Sequence, residues 1–535
     1  MALMRQWQVT LLTMTGLGAA AFGLIRANRL PRRRASPDLP SPANAETTLW
    51  RVARERAARR PGLSGLHLLP DAVDAFAARL LLLKAAERTI DLQYYIWHGD
   101  RTGTLLLEAV HEAAERGVRV RLLLDDNGIA GLDGVLAGLN MHRNIEVRLF
   151  NPFRIRYPKA IGFLVDFGRL NRRMHNKSFT VDGAVTIVGG RNIGDEYFGA
   201  GDGALFADLD VFAIGPVARD VEADFERYWT SESAYPARQI LPIVGRHKRA
   251  KLRSRASVVE SDASARRYVE RIRSLPLVKE VVEGTLTFEW AQVRMISDDP
   301  AKVVRDIEYR NLLAGKLDEA IGRPAREMTI VSGYFVPGEQ GSRQLADYAR
   351  SGIKVTVLTN GYSATDVALV HAGYAPWRRR LLRAGVRLFE TVAEVRDAPS
   401  KKQRRQGNRL GIGSRLRPSG SGSFAALRSG AATIHAKTIT ADRERLFVGS
   451  FNFDPRSLRL NTELGFVIYS PVLAGQVAEA FETIVPGAAY QVTLDERDRL
   501  HWTGERGSGA REPGLGFLDS LLIGFASRLP ISWLL

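Results

Sequence analysis

The chain has 535 residues, a formal net charge of +18 and no cysteine. Such a length exceeds what one hydrophobic core serves, so two lobes are expected. The lack of cysteine excludes a disulfide scaffold, thiol catalysis and cysteine-based zinc sites. The basic surface attracts polyanions, of which nucleic acid and anionic lipid headgroups are the two usual ones.

In chain order, "VTLLTMTGLGAAAFGLI" (Val9 to Ile25) is an uncharged run behind Arg5. It falls slightly short of the roughly 20 residues of a spanning helix and suits a signal-peptide core or a tilted anchor. The arginines of "RANRLPRRR" follow and argue for a body left on the cytoplasmic side. Residues 1–45 are therefore set apart as an apolar segment with a basic linker. A first lobe is expected over 46–245. Its "TIDLQYYIWHGD" reads as a strand, "GTLLLEAVHEAAERG" as a helix, and "VRVRLLLDDNG" and "IEVRLFNP" as further strands.

A basic linker, 246–270, leads into a second lobe over 271–505, where "MTIVSGYFVPGE", "RQLADYARSG", "IKVTVLTNG" and "VRLFE" repeat that order. The fold class is thus α/β: two like lobes, each a mixed, largely parallel sheet flanked by helices, related by a pseudo-twofold with one shared site. A Gly-, Ser- and basic-rich insertion at about 396–430 is expected to be a mobile solvated loop. Residues 511–535 carry Leu518, Leu521, Leu522, Phe525 and Leu529 at helical steps, with Trp533 beyond. That stripe suits an amphipathic helix on a membrane, with docking on the chain's own core as the alternative.

The repeat extends to one polar motif. "MHNKSFTVDGAVTIVGGRN" (Met174 to Asn192) and "IHAKTITADRERLFVGSFN" (Ile434 to Asn452) place His175, Lys177 and Asp182 in register with His435, Lys437 and Asp442. Asn192 and Asn452 also match, and Asp208 corresponds to Glu463. Alternation along a strand points each histidine and its lysine the same way. Asp182, in the turn signal "VDGA", is expected with Asp442 to stabilise the motif rather than face the reaction.

Two imidazoles, two ammonium groups and two amides in one pocket suit a phosphodiester. The lysines neutralise its charge and that of the developing oxygens. One neutral histidine attacks phosphorus and the other, protonated, protonates the leaving alkoxide. Asn192 and Asn452 are candidate donors to phosphoryl oxygens. Asp208 and Glu463 are candidates to orient the histidines. His371 is a candidate to line the substrate channel. No metal-ligand spacing is present, and no cofactor or metal is expected.

These motifs resemble the two HKD motifs of the phospholipase D superfamily. The stretches "NRRMHNKSFTVDGAVTIVGGRNIGDEYFGA", "DLDVFAIGPV", "VHAGYAPWRRRLL" and "GSFNFDPRSLRLNTELGFVI" resemble its bacterial cardiolipin synthase C type, from about Leu68 to the end of the chain. The resemblance implies a membrane phosphatidyltransferase making cardiolipin from phosphatidylglycerol and a phosphatidyl donor such as phosphatidylethanolamine. It makes His175 the nucleophile and His435 the general acid/base, completes the site within one chain, and places it at the bacterial inner membrane. Ser450 would contact phosphate, and Gly190 departs from the serine that the superfamily often has there. Hydrolysis by the same chemistry is the runner-up. A nuclease fits the charge but not the two apolar ends, so nucleic acid is not an expected partner. A lipid-binding protein with a dead site is the remaining alternative, and two intact motifs argue against it.

Overall fold

The computed structural model describes residues 2–33, 46–200, 205–245, 263–365, 367–392, 432–505 and 507–527. The insertion, most of the central basic linker and the last eight residues lie outside these.

Strands form where the apolar alternation places them, and their order occurs twice. In the first lobe these are β1 (Ser64–Leu69), β2 (Thr89–Ile96), β3 (Arg119–Gly128), β4 (Ile145–Phe150), β5 (Ser178–Val181), β6 (Val185–Gly189), β7 (Leu205–Ala207), β8 (Asp210–Ile214) and β9 (Ala234–Pro236). The second lobe has β10 (Glu289–Ser297), β11 (Glu327–Ser332), β12 (Lys354–Asn360), β13 (Arg387–Thr391), β14 (Ala432–Ile434), β15 (Lys437–Ala441), β16 (Arg445–Gly449), β17 (Leu464–Tyr469), β18 (Ala489–Leu494), β19 (Leu500–Gly504) and β20 (Gly507–Gly509).

Across the first sheet the order is β1-β8-β6-β5-β2-β3-β4-β9. Across the second it is β10-β17-β16-β15-β11-β12-β13-β18, extended by β19 and β20. β2, β3 and β4 run parallel, as do β11, β12 and β13, while the hairpins carrying the motifs and the outer strands pair antiparallel. This is the two-lobed mixed α/β architecture that the repeat implies.

One face of the parallel strands is apolar and covered by helices, while the other carries buried polar residues such as Asp91 and Arg121, paired at 2.6 Å. Ile90, Leu92, Tyr94, Val120, Leu122, Leu124, Val147 and Leu149 are all fully buried. Asp71 and Asp100 start the two helices on that sheet, each accepting hydrogen bonds from backbone N–H groups of the first turn. β1 and β10 pair antiparallel at the edge where the lobes meet. A third core seals that seam, joining Leu66, Val188 and Val211 to Leu446, Val448 and Phe466. The helices Ala263–Arg273 and Pro276–Val282 belong to the first lobe's core through Tyr268, Ile272 and Leu277. The packing boundary thus falls near β10, later than the composition shift at 271 suggests. The helix Phe517–Ala526 lies against the helix Ala368–Tyr374, so it docks on the second lobe, with Leu521 on its exposed face.

Each motif aspartate occupies its hairpin turn. Asp182 and Gly183 have φ of 54° and 60°, and Asp442 and Arg443 have 57° and 55°, the left-handed pair that turns the chain in each three-residue hairpin loop. The Asp182 carboxylate accepts from the backbone N–H of Glu87, Arg88 and Thr89. Asp442 accepts from Ala325, Arg326 and Glu327 in the same way. Each therefore ties its hairpin to the chain entering the neighbouring central strand, and neither faces the pocket.

Burial pushes the Asp442 carboxyl up, but those three N–H groups outweigh it and hold it below the ordinary 3.8. Asp442→Ala should cost about 2–4 kcal/mol, the loss of charge-assisted hydrogen bonds that leaves donors unpaired. A carboxylate with a depressed folded pKa stabilises fully above its unfolded value, and that contribution is lost as pH falls through the folded one. Thermal unfolding of wild type and variant should therefore differ most above about pH 4 and converge in stronger acid. An unchanged midpoint with lost turnover would assign Asp442 to catalysis instead.

Candidate active site

The two motifs meet because each approach to a catalytic histidine pairs with the other lobe. Met174, just before His175, forms a parallel bridge with Thr462, just before Glu463. Ile434, just before His435, pairs with Ala207, just before Asp208, in the small β7–β14 sheet. The His175 and His435 N–H groups donate across the junction to the Thr462 and Ala207 carbonyls, at 2.8 and 2.9 Å.

The acids are therefore exchanged. His175 Nδ1 lies 2.8 Å from Glu463 Oε2, and His435 Nδ1 lies 2.5 Å from Asp208 Oδ2. With Nδ1–H donated to a carboxylate, each ring presents Nε2 to the pocket. Tyr95 meets the His175 ring edge-on at 5.0 Å, and Tyr197 does the same to His435 at 5.2 Å. Lys177 is buried, and its Nζ donates to the His175 carbonyl at 2.6 Å. Lys437 makes the equivalent bond to the His435 carbonyl.

The electrostatics also cross the junction. Burial, then the charges of Lys177, Lys437 and Arg456, push His175 well below the ordinary imidazole range. Burial and the Lys437 charge lower His435 to about 3, against the pull of Asp208. Burial likewise lowers Lys177, aided by the charge of Lys437 and opposed by Glu463. The acids differ. Burial raises Glu463 to about 7 despite Lys177, whereas His435 and Lys437 overcome burial and hold Asp208 at about 2. Burial favours the neutral form of both imidazoles, and the one beside the firmly ionised acid has the stronger claim on a proton.

Several expected roles change. Ser450 does not face phosphate: its hydroxyl donates to Glu463 Oε2 and accepts from the Leu464 N–H, so both functions are spent. Gly190 stands at the matching position because Asp208 occupies that space; a Cβ there would lie 2.2 Å from Asp208 Oδ1. Asn192 is engaged with protein, accepting from Ile96 N–H and donating to the Tyr197 hydroxyl, so it positions the ring beside His435. Only its second amide hydrogen can reach a substrate. Asn452 is buried with an amide oxygen that has no hydrogen-bond partner among the described residues. His371 lies away from any channel, buried between Glu512, 2.8 Å away, and Arg378. It fastens the C-terminal segment to the second lobe.

Other supporting residues escape sequence reading. Asp125 accepts from the Arg173 guanidinium at 2.6 Å and from the Met174 N–H at 2.9 Å, which fixes the two residues ahead of His175. Arg191 donates to the carbonyls of Leu69, Pro70 and Asp208, holding Asp208 in place. Asp125 is the last residue of β3 to pair with β4, toward the strand's carboxyl end where such sheets carry ligand chemistry, and that position is its only signal. His98, Asp100 and Glu196 bring three ligand-type atoms within 4.8 Å, a cluster their spacing along the chain conceals. His98 pairs with Glu196 at 3.0 Å, and Asp100 is the cap of the helix Arg101–Glu115.

Two H-x-K motifs in like lobes around one pocket, each histidine oriented by the opposite lobe's acid, define a two-motif protein of the phospholipase D superfamily. Residues 80–229 and 317–485 match the family described as cardiolipin synthase, PLD-like domain. The chain is 46% identical over 481 residues to cardiolipin synthase C of Escherichia coli (strain K12), covering 89% of this chain and 97% of that one. It is 25% identical to cardiolipin synthase A of Pseudomonas entomophila (strain L48), over 85% of this chain and 76% of that one. The crystal structure of phosphatidylserine synthase from Haemophilus influenzae Rd KW20 shares the fold, with a TM-score of 0.55 at 14% identity, covering 88% of this chain and 97% of that one. The chain belongs to the cardiolipin synthase family of phospholipase D-like proteins.

Gly190→Ser would press its side chain into Asp208 and move that acid off His435. Turnover should fall about 100-fold, the scale of a lost general acid/base, and the pH profile should lose the limb that His435 sets. Unchanged turnover would show that His435 does not depend on Asp208 in this position.

Proposed function

We propose that the chain is a phosphatidyltransferase that makes cardiolipin from phosphatidylglycerol and a phosphatidyl donor, with phosphatidylethanolamine as the favoured donor. The observation that carries this reading is the crossed pair of acid-oriented histidines over two lysines, in a chain 46% identical to a cardiolipin synthase.

His175 Nε2 attacks the donor phosphorus. The bond to the headgroup oxygen breaks, and that oxygen takes its proton from His435. The phosphatidyl group is then held on His175. A terminal glycerol hydroxyl of phosphatidylglycerol gives its proton to His435 and attacks phosphorus, releasing His175 and cardiolipin. The difference between the acids supports this assignment of roles. Asp208, held ionised, favours a proton on His435, whereas Glu463 resists ionisation and leaves His175 with a free lone pair. Lys177 and Lys437 supply the charge that the equatorial oxygens need. The substrates place the enzyme at the bacterial inner membrane. The apolar stretch Thr10–Ala27 is long enough to anchor it there, and the arginines after it favour a cytoplasmic body.

Purified protein incubated with phosphatidylglycerol vesicles, with and without phosphatidylethanolamine, should yield cardiolipin by mass spectrometry, more with both lipids. Phosphatidic acid alone would make the enzyme a hydrolase. His175→Ala and His435→Ala should each abolish turnover. Donor lipid labelled in its phosphate should leave label on the wild-type chain quenched during turnover but none on His175→Ala. Robust turnover in either variant would sink the two-histidine mechanism.

A further inference from the structure

Between β4 and the first motif the chain leaves the sheet, runs through the helix Ala160–Leu170 ("AIGFLVDFGRL") and returns at Arg173. The helix holds two charged residues, Asp166 and Arg169, and they pair with each other at 2.7 Å. Leu170 is buried at its end, but part of its apolar surface is not folded inward. Leu164 is 80% exposed, Tyr157 just before the helix 85%, and Phe167 38%. Phe163 packs between Phe153 and Phe167, so one aromatic stack runs from the protein interior to this exposed tip. Single exposed apolar residues are ordinary on a soluble surface. Three on one short, charge-balanced segment are not.

Two further contacts say what covers it. Asn28, at the end of the helix Ala2–Ala27, donates to Asp166 Oδ2 at 3.2 Å. The candidate membrane span, Thr10–Ala27, thus ends on the exposed segment itself. Arg26, Arg29, Arg32 and Arg33, which flank Asn28 in the chain, and Arg154, three residues before Tyr157, are all exposed, positive charge of the kind that meets anionic headgroups. At its base, the segment shares an anchor with the catalytic histidine. Lys159 and the Phe153 N–H both bind the buried Asp126 carboxylate, at 3.0 and 2.7 Å. Asp126 adjoins Asp125, which holds Arg173 and Met174 ahead of His175.

We infer that the Tyr157–Phe167 segment is a second membrane contact. It is immersed in the headgroup and outer acyl region of an anionic phospholipid bilayer beside the N-terminal helix, and it seats the His175 side of the active site on the membrane. This deepens the reading of the chain as an enzyme of bilayer lipids and rests on it. Tyr157 is placed as an interfacial aromatic, Leu164 points into the acyl layer, and the arginines meet the headgroups.

The cysteine-free chain allows a direct test. A nitroxide is attached to Leu164→Cys in the full-length protein on vesicles of phosphatidylglycerol and phosphatidylethanolamine. It should collide preferentially with dissolved oxygen rather than with an aqueous nickel complex. A nitroxide on Arg350→Cys, exposed on the second lobe, should show the reverse. A Leu164 label facing water on vesicle-bound protein overturns the inference, as does one shielded only when the chain self-associates. Tyr157→Asp with Leu164→Asp should raise the KM for vesicle lipid by about ten-fold or more while leaving turnover of short-chain, monodisperse phosphatidylglycerol within about two-fold. Equal loss on both substrates would make the segment structural. A wild-type enzyme that makes no cardiolipin while the Leu164 label lies in lipid would remove the proposed reaction and leave the contact standing.

Discussion

Everything in this protein depends on two hydrogen bonds that cross between lobes. A buried imidazole needs a partner for Nδ1, and each lobe supplies that partner to the other's histidine. Neither lobe therefore contains a working half-site. The histidine of one is mis-oriented without the acid of the other, and each acid would be a buried carboxylate without its imidazole. The relative placement of the lobes must then be held to within a hydrogen bond's tolerance. The β1–β10 pairing and the apolar seam from Leu66 to Phe466 provide that rigidity. The paired backbone segments Met174–Thr462 and Ile434–Ala207 carry it to the reacting rings.

The pseudo-symmetry is broken where two like histidines must do different work. In the first lobe a short acid packs into the space left by Gly190. In the second, a longer acid reaches a serine that takes up the same position. Asp208 also accepts the N–H of Leu209 and sits near Arg191, so its charge is well supported. Glu463 has a hydroxyl and an imidazole on one oxygen and no partner among the described residues on the other. A glycine-for-serine departure that looks like a defect in the sequence is thus the steric condition for the better-ionised acid.

The strand and helix order, the duplication and the identity of both acids were legible because each leaves a local pattern or a matched position in the repeat. The crossing of the pairs was not. A repeat shows that Asp208 and Glu463 are equivalent, but not which histidine each one faces, which depends on docking of the lobes. The glycines after the motif point to Asn192 as a phosphate donor, and the family resemblance points to Ser450. They bond instead to Tyr197 and Glu463, partners nearby in the chain whose spacing matches no helix or strand period and so carries no signal. His371 resembled a channel residue because it follows a strand end, yet Glu512, far along the chain, claims it. The sequence reading places the helix Ala263–Arg273 mostly in the basic linker and Pro276–Val282 in the second lobe. Their apolar stripes fit the first lobe's core, and apolar periodicity says that a face is buried without saying where.

Burial works against positive charge at both histidines and at Lys177, whose ammonium the buried acids support. An arriving phosphodiester brings the missing negative charge. It favours the ammonium form of the lysines and raises the affinity of the nearer Nε2 positions for a proton, most of all at His435, where Asp208 already favours the imidazolium. In the proposed mechanism the general acid is then charged when its substrate is in place. The cost of burying positive groups, which would weigh on stability in an apolar core, becomes selectivity for an anionic phosphodiester in this one.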